Sequence, residues 1–253
     1  MSRPAVLVTG GARRLGKAIA RRFGAAGWHV VIHCHRSIAA AEALAAEMPS
    51  AEVETCDLAA PGAGADMVER LSVRLADWRV LVNSAAKLKA EDGPLEPELF
   101  ARMLQVNAAE PMRMAQTFFA HARSAAGRRI IHLTDQKLAN PNPDFPAYTM
   151  SKHALAATVP ILAMEVAPQD RIHALAPGAI LPSLDQTAEE ADVSHRMNLL
   201  GRRTGADEIA EAAWFLATGP LASGQTLFVD SGQHLLSQRR DVIYLAREER
   251  REA

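Results

Sequence analysis

A tyrosine and a lysine four residues apart, Tyr148 and Lys152, carry the clearest chemical signal in the chain. The surrounding pattern predicts a long helix over residues 146–166, and this spacing puts both side chains on one helix face, a turn apart. An ammonium group near a phenol favours the phenolate, so we expect Lys152 to lower the pKa of Tyr148. Such a phenol can give a proton to a carbonyl or imine as hydride arrives from a cofactor. Alone, the pattern also fits a solvated lysine beside a packed aromatic ring.

The segments around this pair alternate between short apolar runs and helical patterns, which is typical of an α/β fold. Residues 5–9 are continuously apolar, as expected of a buried parallel strand. Pro160 lies inside the helix that carries Tyr148 and predicts a kink. We expect one doubly wound, seven-stranded parallel sheet with helices on both faces. The predicted strands are residues 5–9, 29–34, 52–56, 79–83, 128–134, 171–176 and 226–230, and the predicted helices end near residues 26, 48, 77, 108, 125, 166 and 217.

Two later stretches have less regular patterns. Residues 180–204 are polar and irregular, which is typical of a mobile substrate lid, and Asp207 is a plausible cap of the helix that follows. We assign residues 1–236 to one domain and residues 237–253, which end in a run rich in arginine and glutamate, to a charged C-terminal extension. Residues 242–245 in this extension fit packing either on a sister subunit or on their own chain.

A glycine-rich turn follows the first strand. Residues 9–16 read TGGARRLG and open an amphipathic helix. Glycine lets backbone N–H groups approach a pyrophosphate, and the positive end of the helix dipole favours its charge. A strand before the turn and a helix after it distinguish this pattern from an ordinary turn and predict a dinucleotide cradle. Its predicted cofactor-binding residues are Gly10, Arg14, Leu15 and Gly16.

The second predicted strand ends in His35, Arg36 and Ser37. In a dinucleotide-binding fold this position meets the adenosine ribose, where an acidic residue favours NAD. Arginine and serine suit a 2′-phosphate instead, so we predict NADPH as the cofactor. His33 and His35 share a strand face, but no further ligand pattern follows, and we predict no metal site.

Further cofactor positions follow the later strands. Asp57 and Leu58 come where the adenine edge is expected, although Asp57 fits equally well as a helix cap. Asn107 lies in a predicted helix, as a polar core residue or as part of a proton path through water. The other predicted cofactor contacts are Asn83, Ser84 and Ala85 after the fourth strand, and Pro177, Gly178 and Ile180 after the sixth.

Composition excludes several classes of function. The net charge of −1 gives the chain no overall field for nucleic acid or an anionic membrane, and no apolar run is long enough to span a bilayer. Two cysteines make no disulfide framework, and the N-terminus has no signal-peptide pattern. We therefore expect a cytoplasmic protein that acts on a small molecule.

Taken together, these motifs resemble the short-chain dehydrogenase/reductase family over almost the whole chain. The glycine turn at 9–16, the NSAA sequence at 83–86, Asn107, the Tyr148/Lys152 pair, the Pro-Gly pair at 177–178 and the VDSG sequence at 229–232 have the order and spacing of that family. The resemblance implies a Rossmann-fold NADPH-dependent oxidoreductase. It also implies catalytic roles for Tyr148, Lys152 and Asn107, and a homo-oligomer, either a tetramer or a dimer.

Three features resemble the pteridine reductase branch of the family, which includes bacterial dihydromonapterin and dihydrofolate reductases. Asp135 stands where the family usually has a catalytic serine, Arg14 stands in the glycine turn, and the second strand ends in His-Arg-Ser. A ketone oxygen needs a neutral hydrogen-bond donor, whereas reducing a pterin C=N bond needs a proton at ring nitrogen, which a carboxylic acid can relay. The resemblance therefore implies a pterin or dihydrofolate-like substrate, contacted by Arg14, Asp135 and Tyr148.

Leu88 departs from that branch. It stands where an aromatic residue usually stacks on the pterin, and leucine covers a ring without aromatic stacking. Ser84 likewise replaces the second asparagine of the turn. Two alternatives therefore stay open: a reductase of ketones or 3-oxoacyl thioesters, and a catalytically inactive NADPH-binding scaffold.

Overall fold

The computed structural model describes residues 3–91, 93–183 and 185–252. All seven strands are parallel and form one sheet in the order β3-β2-β1-β4-β5-β6-β7, which confirms the predicted architecture. Each strand begins and ends within about one residue of its predicted position. The strands are β1 (Ala5–Val8), β2 (His29–Cys34), β3 (Ala51–Thr55), β4 (Trp78–Asn83), β5 (Arg129–Leu133), β6 (Arg171–Pro177) and β7 (Thr226–Val229).

The helices pack on both faces of this sheet. One face buries side chains of α1, α2 and α8, including Phe23, and the other buries side chains of α3, α5 and α6, including Phe118. Because β1 and β4 are covered on both sides, their residues are almost all apolar and fully buried. The helices are α1 (Arg14–Ala25), α2 (Ile38–Ala46), α3 (Ala63–Arg74), α4 (Pro97–Leu104), α5 (Glu110–His121), α6 (Pro146–Glu165), α7 (Ala188–Ser194), α8 (Ala206–Thr218) and α9 (Val242–Glu252).

The strand order reverses between β1 and β4. The chain first builds outward from β1 through β2 to β3, and then crosses back to place β4 on the other side of β1. Connections therefore leave the carboxyl ends of β1 and β4 in opposite directions. They open a crevice of the kind in which ligands bind in open α/β sheets.

Two predictions for the later part of the chain are wrong. Residues 180–204 are not irregular throughout, because Thr187 and Glu190 form a reciprocal capping box that begins α7. Asp207 does not cap α8. Gly205 occupies the cap position, and its N–H donates to the carboxylate of Glu208 at 2.8 Å.

The end of the chain packs on its own domain. Val242, Ile243 and Ala246 are buried, and α9 lies against α7. Arg247 joins the two segments, because its guanidinium donates to Asp185 at 2.8 Å and to Glu190 at 3.3 Å. No helix within the described ranges is both long enough and apolar enough to cross a membrane.

Candidate active site

A cleft of about 690 Å³ opens at the carboxyl edge of the sheet, beside the β1/β4 crossover. The structure brings most of the predicted site residues to its walls. Gly16, Asn83 and Asn107 lie behind the wall. The predicted residues that line the cleft are Gly10, Arg14, Leu15, His35, Arg36, Ser37, Asp57, Leu58, Ser84, Ala85, Leu88, Asp135, Tyr148, Lys152, Pro177, Gly178 and Ile180.

The glycine turn has the shape that a phosphate cradle requires. Gly10 has a φ of +62°, and a Cβ on Gly16 would lie 2.4 Å from the carbonyl oxygen of Gly10, so a side chain at either position would deform the turn. No described side chain caps the first N–H groups of α1, and its first turn holds no acidic residue. The start of α1 is therefore suited to an anionic ligand such as a dinucleotide pyrophosphate.

His33 holds this turn in place through hydrogen bonds of its ring. The Gly10 N–H donates to Nδ1 of His33 at 3.3 Å, while Nε2 lies 3.2 Å from the carbonyl oxygen of Cys56. Burial lowers the pKa of His33 to about 4, so the ring is neutral, with its proton on Nε2. This contact had no local signal in the sequence, because it joins β2 to the turn after β1.

Arg36 and Ser37 lie on the cleft wall at the end of β2, with the Arg36 side chain exposed. Next to them, His35 lies 3.7 Å from a carboxylate oxygen of Asp57. Asp57 does not cap α3, because its carboxylate accepts from the N–H of Ala59 and the chain makes a further turn before the helix begins. The exposed Arg36 guanidinium at this end of the cleft suits a phosphate.

Asp135 and Tyr148 form the chemical centre of the cleft. The Tyr148 hydroxyl donates to Oδ2 of Asp135 at 2.8 Å, and Oδ1 of Asp135 accepts from the Lys137 N–H at 2.9 Å. Burial raises the pKa of Asp135 above its ordinary value. Burial, followed by the charge of Asp135 and its hydrogen bond, raises the pKa of Tyr148 well above 10. The two groups therefore keep a proton available between them.

The expectation that Lys152 lowers the pKa of Tyr148 is wrong. The Lys152 Nζ donates to the carbonyl oxygen of Leu133 at 2.6 Å and lies 5.7 Å from the centre of the tyrosine ring. The phenol instead hydrogen-bonds a carboxylate, which favours the protonated phenol. Burial also lowers the pKa of Lys152 itself to about 8.

Asn107 braces the site from behind. It lies in a π-helical turn, Gln105–Ala109, between α4 and α5, where the sequence predicted the last turn of a helix that ends at residue 108. Its side chain accepts from the Lys87 N–H at 2.7 Å and donates to the Lys87 carbonyl oxygen and to Ser151 Oγ, each at 2.9 Å. Asn107 thus ties the loop after β4 to α6. Its predicted part in a proton path stays a prediction.

Asn83 is also removed from the cleft wall. Its side-chain amide lies 3.1 Å from Nδ1 of His132 in the interior. Burial lowers the pKa of His132 to about 3, so this ring is neutral. Because this hydrogen bond turns the Asn83 amide toward the interior, it gives no support to the predicted contact between Asn83 and the cofactor.

The entry to α6 is held by groups that the sequence did not reveal. The carboxylate of Glu91 accepts from the N–H of Ala147, next to Tyr148, at 3.0 and 3.2 Å. Phe145 precedes the helix with a φ of +56°, and its ring stacks on Tyr244 of α9 at 5.7 Å. The position of Tyr148 therefore depends on two segments that are remote in sequence.

Arg14 connects the glycine turn to the segment after β6. Its guanidinium donates to the carbonyl oxygens of Pro182 at 2.7 Å and Leu181 at 3.3 Å. The start of the predicted lid is thus held by a side chain of the glycine turn.

Comparison with known proteins agrees with this geometry. A family model described as enoyl-(acyl carrier protein) reductase matches residues 10–234, so the chain belongs to the short-chain dehydrogenase/reductase family, as its motifs predicted.

Three relatives illustrate the range of activities in this family. The chain is 26% identical to a dihydromonapterin reductase of Citrobacter koseri, over 91% of this chain and 96% of the relative. It is 32% identical to FolM alternative dihydrofolate reductase 1 of Brucella suis, solved in complex with NADP, with a TM-score of 0.86 over 92% of this chain and 96% of the other. It is 27% identical to the angucycline C-6 ketoreductase LanV, solved with bound NADP, with a TM-score of 0.82 over the same shares.

Proposed function

We propose that this protein is an NADPH-dependent reductase of a C=N bond in a pterin or dihydrofolate-like substrate. The observation that carries the proposal is the 2.8 Å hydrogen bond from Tyr148 to Asp135. Burial raises the pKa of both groups, and the protonated phenol paired with this carboxyl can release a proton to a basic ring nitrogen.

The cofactor is held by the nucleotide half of the cleft. The glycine turn and the start of α1 bind the pyrophosphate, and Arg36 and Ser37 bind the 2′-phosphate. Bound NADPH supplies a hydride to the substrate carbon. Lys152, fixed to the Leu133 carbonyl, is placed to bind the neighbouring ribose and to hold Tyr148 in position.

The proton completes the reaction. As the C=N carbon gains a hydride, its nitrogen gains an electron pair and takes a proton from the Asp135–Tyr148 pair, which leaves an amine and an ionised pair. Solvent then returns the proton to the pair. The names of the Citrobacter and Brucella relatives support this substrate class.

A ketoreductase is the second candidate, and Leu88 favours it. A leucine lines the cleft in place of a stacking aromatic residue, so the wall here is equally suited to an aliphatic chain. The ketoreductase LanV supports this alternative.

Turnover assays separate these activities. Purified protein is mixed with NADPH and, in turn, with a dihydropterin, dihydrofolate and an acetoacetyl thioester, and the absorbance of NADPH is followed. We expect the pterin and folate to be reduced fastest, while turnover of the thioester alone would overturn the proposal.

Asp135→Ser provides a test within the same chain. Serine restores the hydroxyl donor suited to ketones and removes the carboxyl proton, so we expect kcat for the dihydropterin to fall by about 10²-fold or more. Any ketone turnover should fall much less. Equal losses on both substrates would contradict the role of Asp135.

A further inference from the structure

Three polar residues on the substrate side of the cleft form a surface that the proposed reaction does not yet use. Gln136 and Lys137 follow Asp135 directly, and Asp241 comes from the C-terminal segment just before α9. Lys137 Nζ lies 2.9 Å from Oδ2 of Asp241, and both side chains are at least 89% buried. We call these three residues the polar ledge.

The polar ledge has hydrogen-bonding capacity left over. Lys137 donates to Asn142 Oδ1 at 2.7 Å and pairs with Asp241, which leaves one of its three N–H donors. Asp241 accepts from the Ile243 N–H at 3.0 Å and from Lys137, which leaves further lone pairs. Gln136 is 5% exposed, and its Oε1 has no hydrogen-bond partner among the described residues. A buried polar atom of this kind costs free energy unless a ligand or water satisfies it.

The ledge lies beside the proton-donating pair. Gln136 and Lys137 are the next residues after Asp135, and the negative charge of Asp241 is close enough to contribute to the raised pKa of Tyr148. Phe145, Val242 and Ile243 line the same cleft, and Lys137 Nζ lies 5.8 Å from the centre of the Phe145 ring. The Lys137 ammonium and the Asp241 carboxylate thus stand side by side in a wall that also carries apolar side chains.

We propose that the polar ledge binds the amino- and oxo-substituted pyrimidine edge of the substrate, and that Asp241 and Lys137 thereby determine specificity for pterins. The Asp241 carboxylate accepts from the ring N–H and the amino group, and the Lys137 ammonium donates to the oxo group. This inference rests on the proposed function.

The arrangement matches the chemistry of the ring. In a dihydropterin, the nitrogen that takes up the proton is separated from the oxo-bearing carbon by a single ring-fusion carbon. A group that binds the oxo oxygen must therefore lie next to the group that protonates the nitrogen. Lys137 is two residues from Asp135, and its backbone N–H already donates to that carboxylate. A simple ketone has no such edge and gains nothing from the ledge.

Binding to the full-length protein with NADP⁺ tests the inference without a chemical step. Isothermal titration calorimetry compares a dihydropterin with a dihydropteridine that lacks the amino and oxo substituents. The variant is Lys137→Met/Asp241→Asn, which removes both charges together and leaves neither one buried and unpaired. We expect its dissociation constant for the dihydropterin to rise about 10-fold or more, and that for the bare ring to change less than about 2-fold.

Arg239→Gln is the matched control. Arg239 pairs with Glu248 at 2.6 Å in the same C-terminal segment and is largely exposed outside the cleft. We expect it to bind both ligands as the wild type does. Thermal melting of each variant establishes that it is folded. If the double variant does not fold, Asp241→Asn replaces it, because it keeps the size of the side chain and an oxygen that can accept from Lys137, and it should weaken dihydropterin binding alone by several-fold.

The outcomes separate the inference from the proposed function. If the wild type reduces the dihydropterin but the variant binds it as tightly as the wild type does, the inference about the polar ledge is overturned and the proposed function stands. Equal losses of affinity for the dihydropterin and the bare ring would mean that the polar ledge only shapes the cleft wall, which also overturns the inference. If the wild type neither binds nor reduces the dihydropterin, the function fails and the inference fails with it.

Discussion

Lys152 Nζ donates to the carbonyl oxygen of Leu133 at 2.6 Å and thereby fastens α6 to the end of β5. Leu133 is two residues before Asp135, so the same contact places Tyr148 opposite the carboxyl group. Lys152 is 3% exposed, and this burial lowers its pKa to about 8. The lysine acts on the site chiefly through position, and its own titration falls in an accessible pH range.

The first prediction concerns stability as a function of pH. The pKa of Lys152 is 10.5 in a solvated chain and about 8 in the folded protein, so between these values the unfolded state binds more protons. The free energy of unfolding contributed by Lys152 therefore rises with pH across this window, by up to about 1.4 kcal/mol per pH unit. Denaturant unfolding of the wild type and of Lys152→Met, measured across the window, gives this contribution as their difference. A difference that does not change with pH would show that Lys152 is solvated.

The second prediction concerns the rate of pterin reduction as a function of pH. Because burial raises the pKa of Asp135, the carboxyl keeps its proton above the ordinary range and loses it as pH rises through the shifted value. We expect kcat/KM to decline with rising pH through that pKa. Asp135→Asn should lower kcat/KM by about 10²–10⁴-fold and remove the decline. A variant that retained the same decline would assign it to another group.

The third prediction concerns the choice of nucleotide. Arg36 is exposed on the cleft wall, and a guanidinium there forms charge-assisted hydrogen bonds to a 2′-phosphate. We expect Arg36→Ala to weaken NADPH binding about 10-fold or more while leaving NADH binding nearly unchanged. Fluorescence titration with each nucleotide measures this. The control is Arg21→Ala, which removes an exposed arginine of α1 that pairs with Glu47. An unchanged preference in Arg36→Ala would refute the assignment.

The fourth prediction concerns the segment that Arg14 holds. Arg14 has a φ of +53°, which glycine adopts without strain, and its guanidinium binds the Leu181 and Pro182 carbonyls. We expect both Arg14→Ala and Arg14→Gly to speed amide hydrogen exchange in residues 185–194, with no change in α8. The free energy of unfolding of the glycine variant should exceed that of the alanine variant by about 1 kcal/mol. Unchanged exchange in both variants would mean that the segment is held by α9 alone.

The nucleotide half of the cleft was largely predictable from the sequence. Most of its residues follow strands with clear apolar runs, and parallel strands bring their carboxyl ends to one edge. Gly10, Arg36 and Ser84 therefore reach the same cleft without any knowledge of long-range packing.

The substrate half was predictable only in part. The spacing of Tyr148 and Lys152 fixed their shared helix face but not the partners of each group, so the pKa of the phenol was expected to move in the wrong direction. The capping box of Thr187 and Glu190 was visible in the sequence and should have revealed α7. Asp241 had no local signal, because more than a hundred residues separate it from Lys137.

The C-terminal segment supplies Asp241, Val242 and Ile243 to the cleft but contributes no strand to the sheet. Substitutions in this segment therefore remove none of the hydrogen bonds that set the register of the strands. In evolutionary terms, this is a site where selection can retune which molecules are accepted while inheriting the nucleotide machinery intact.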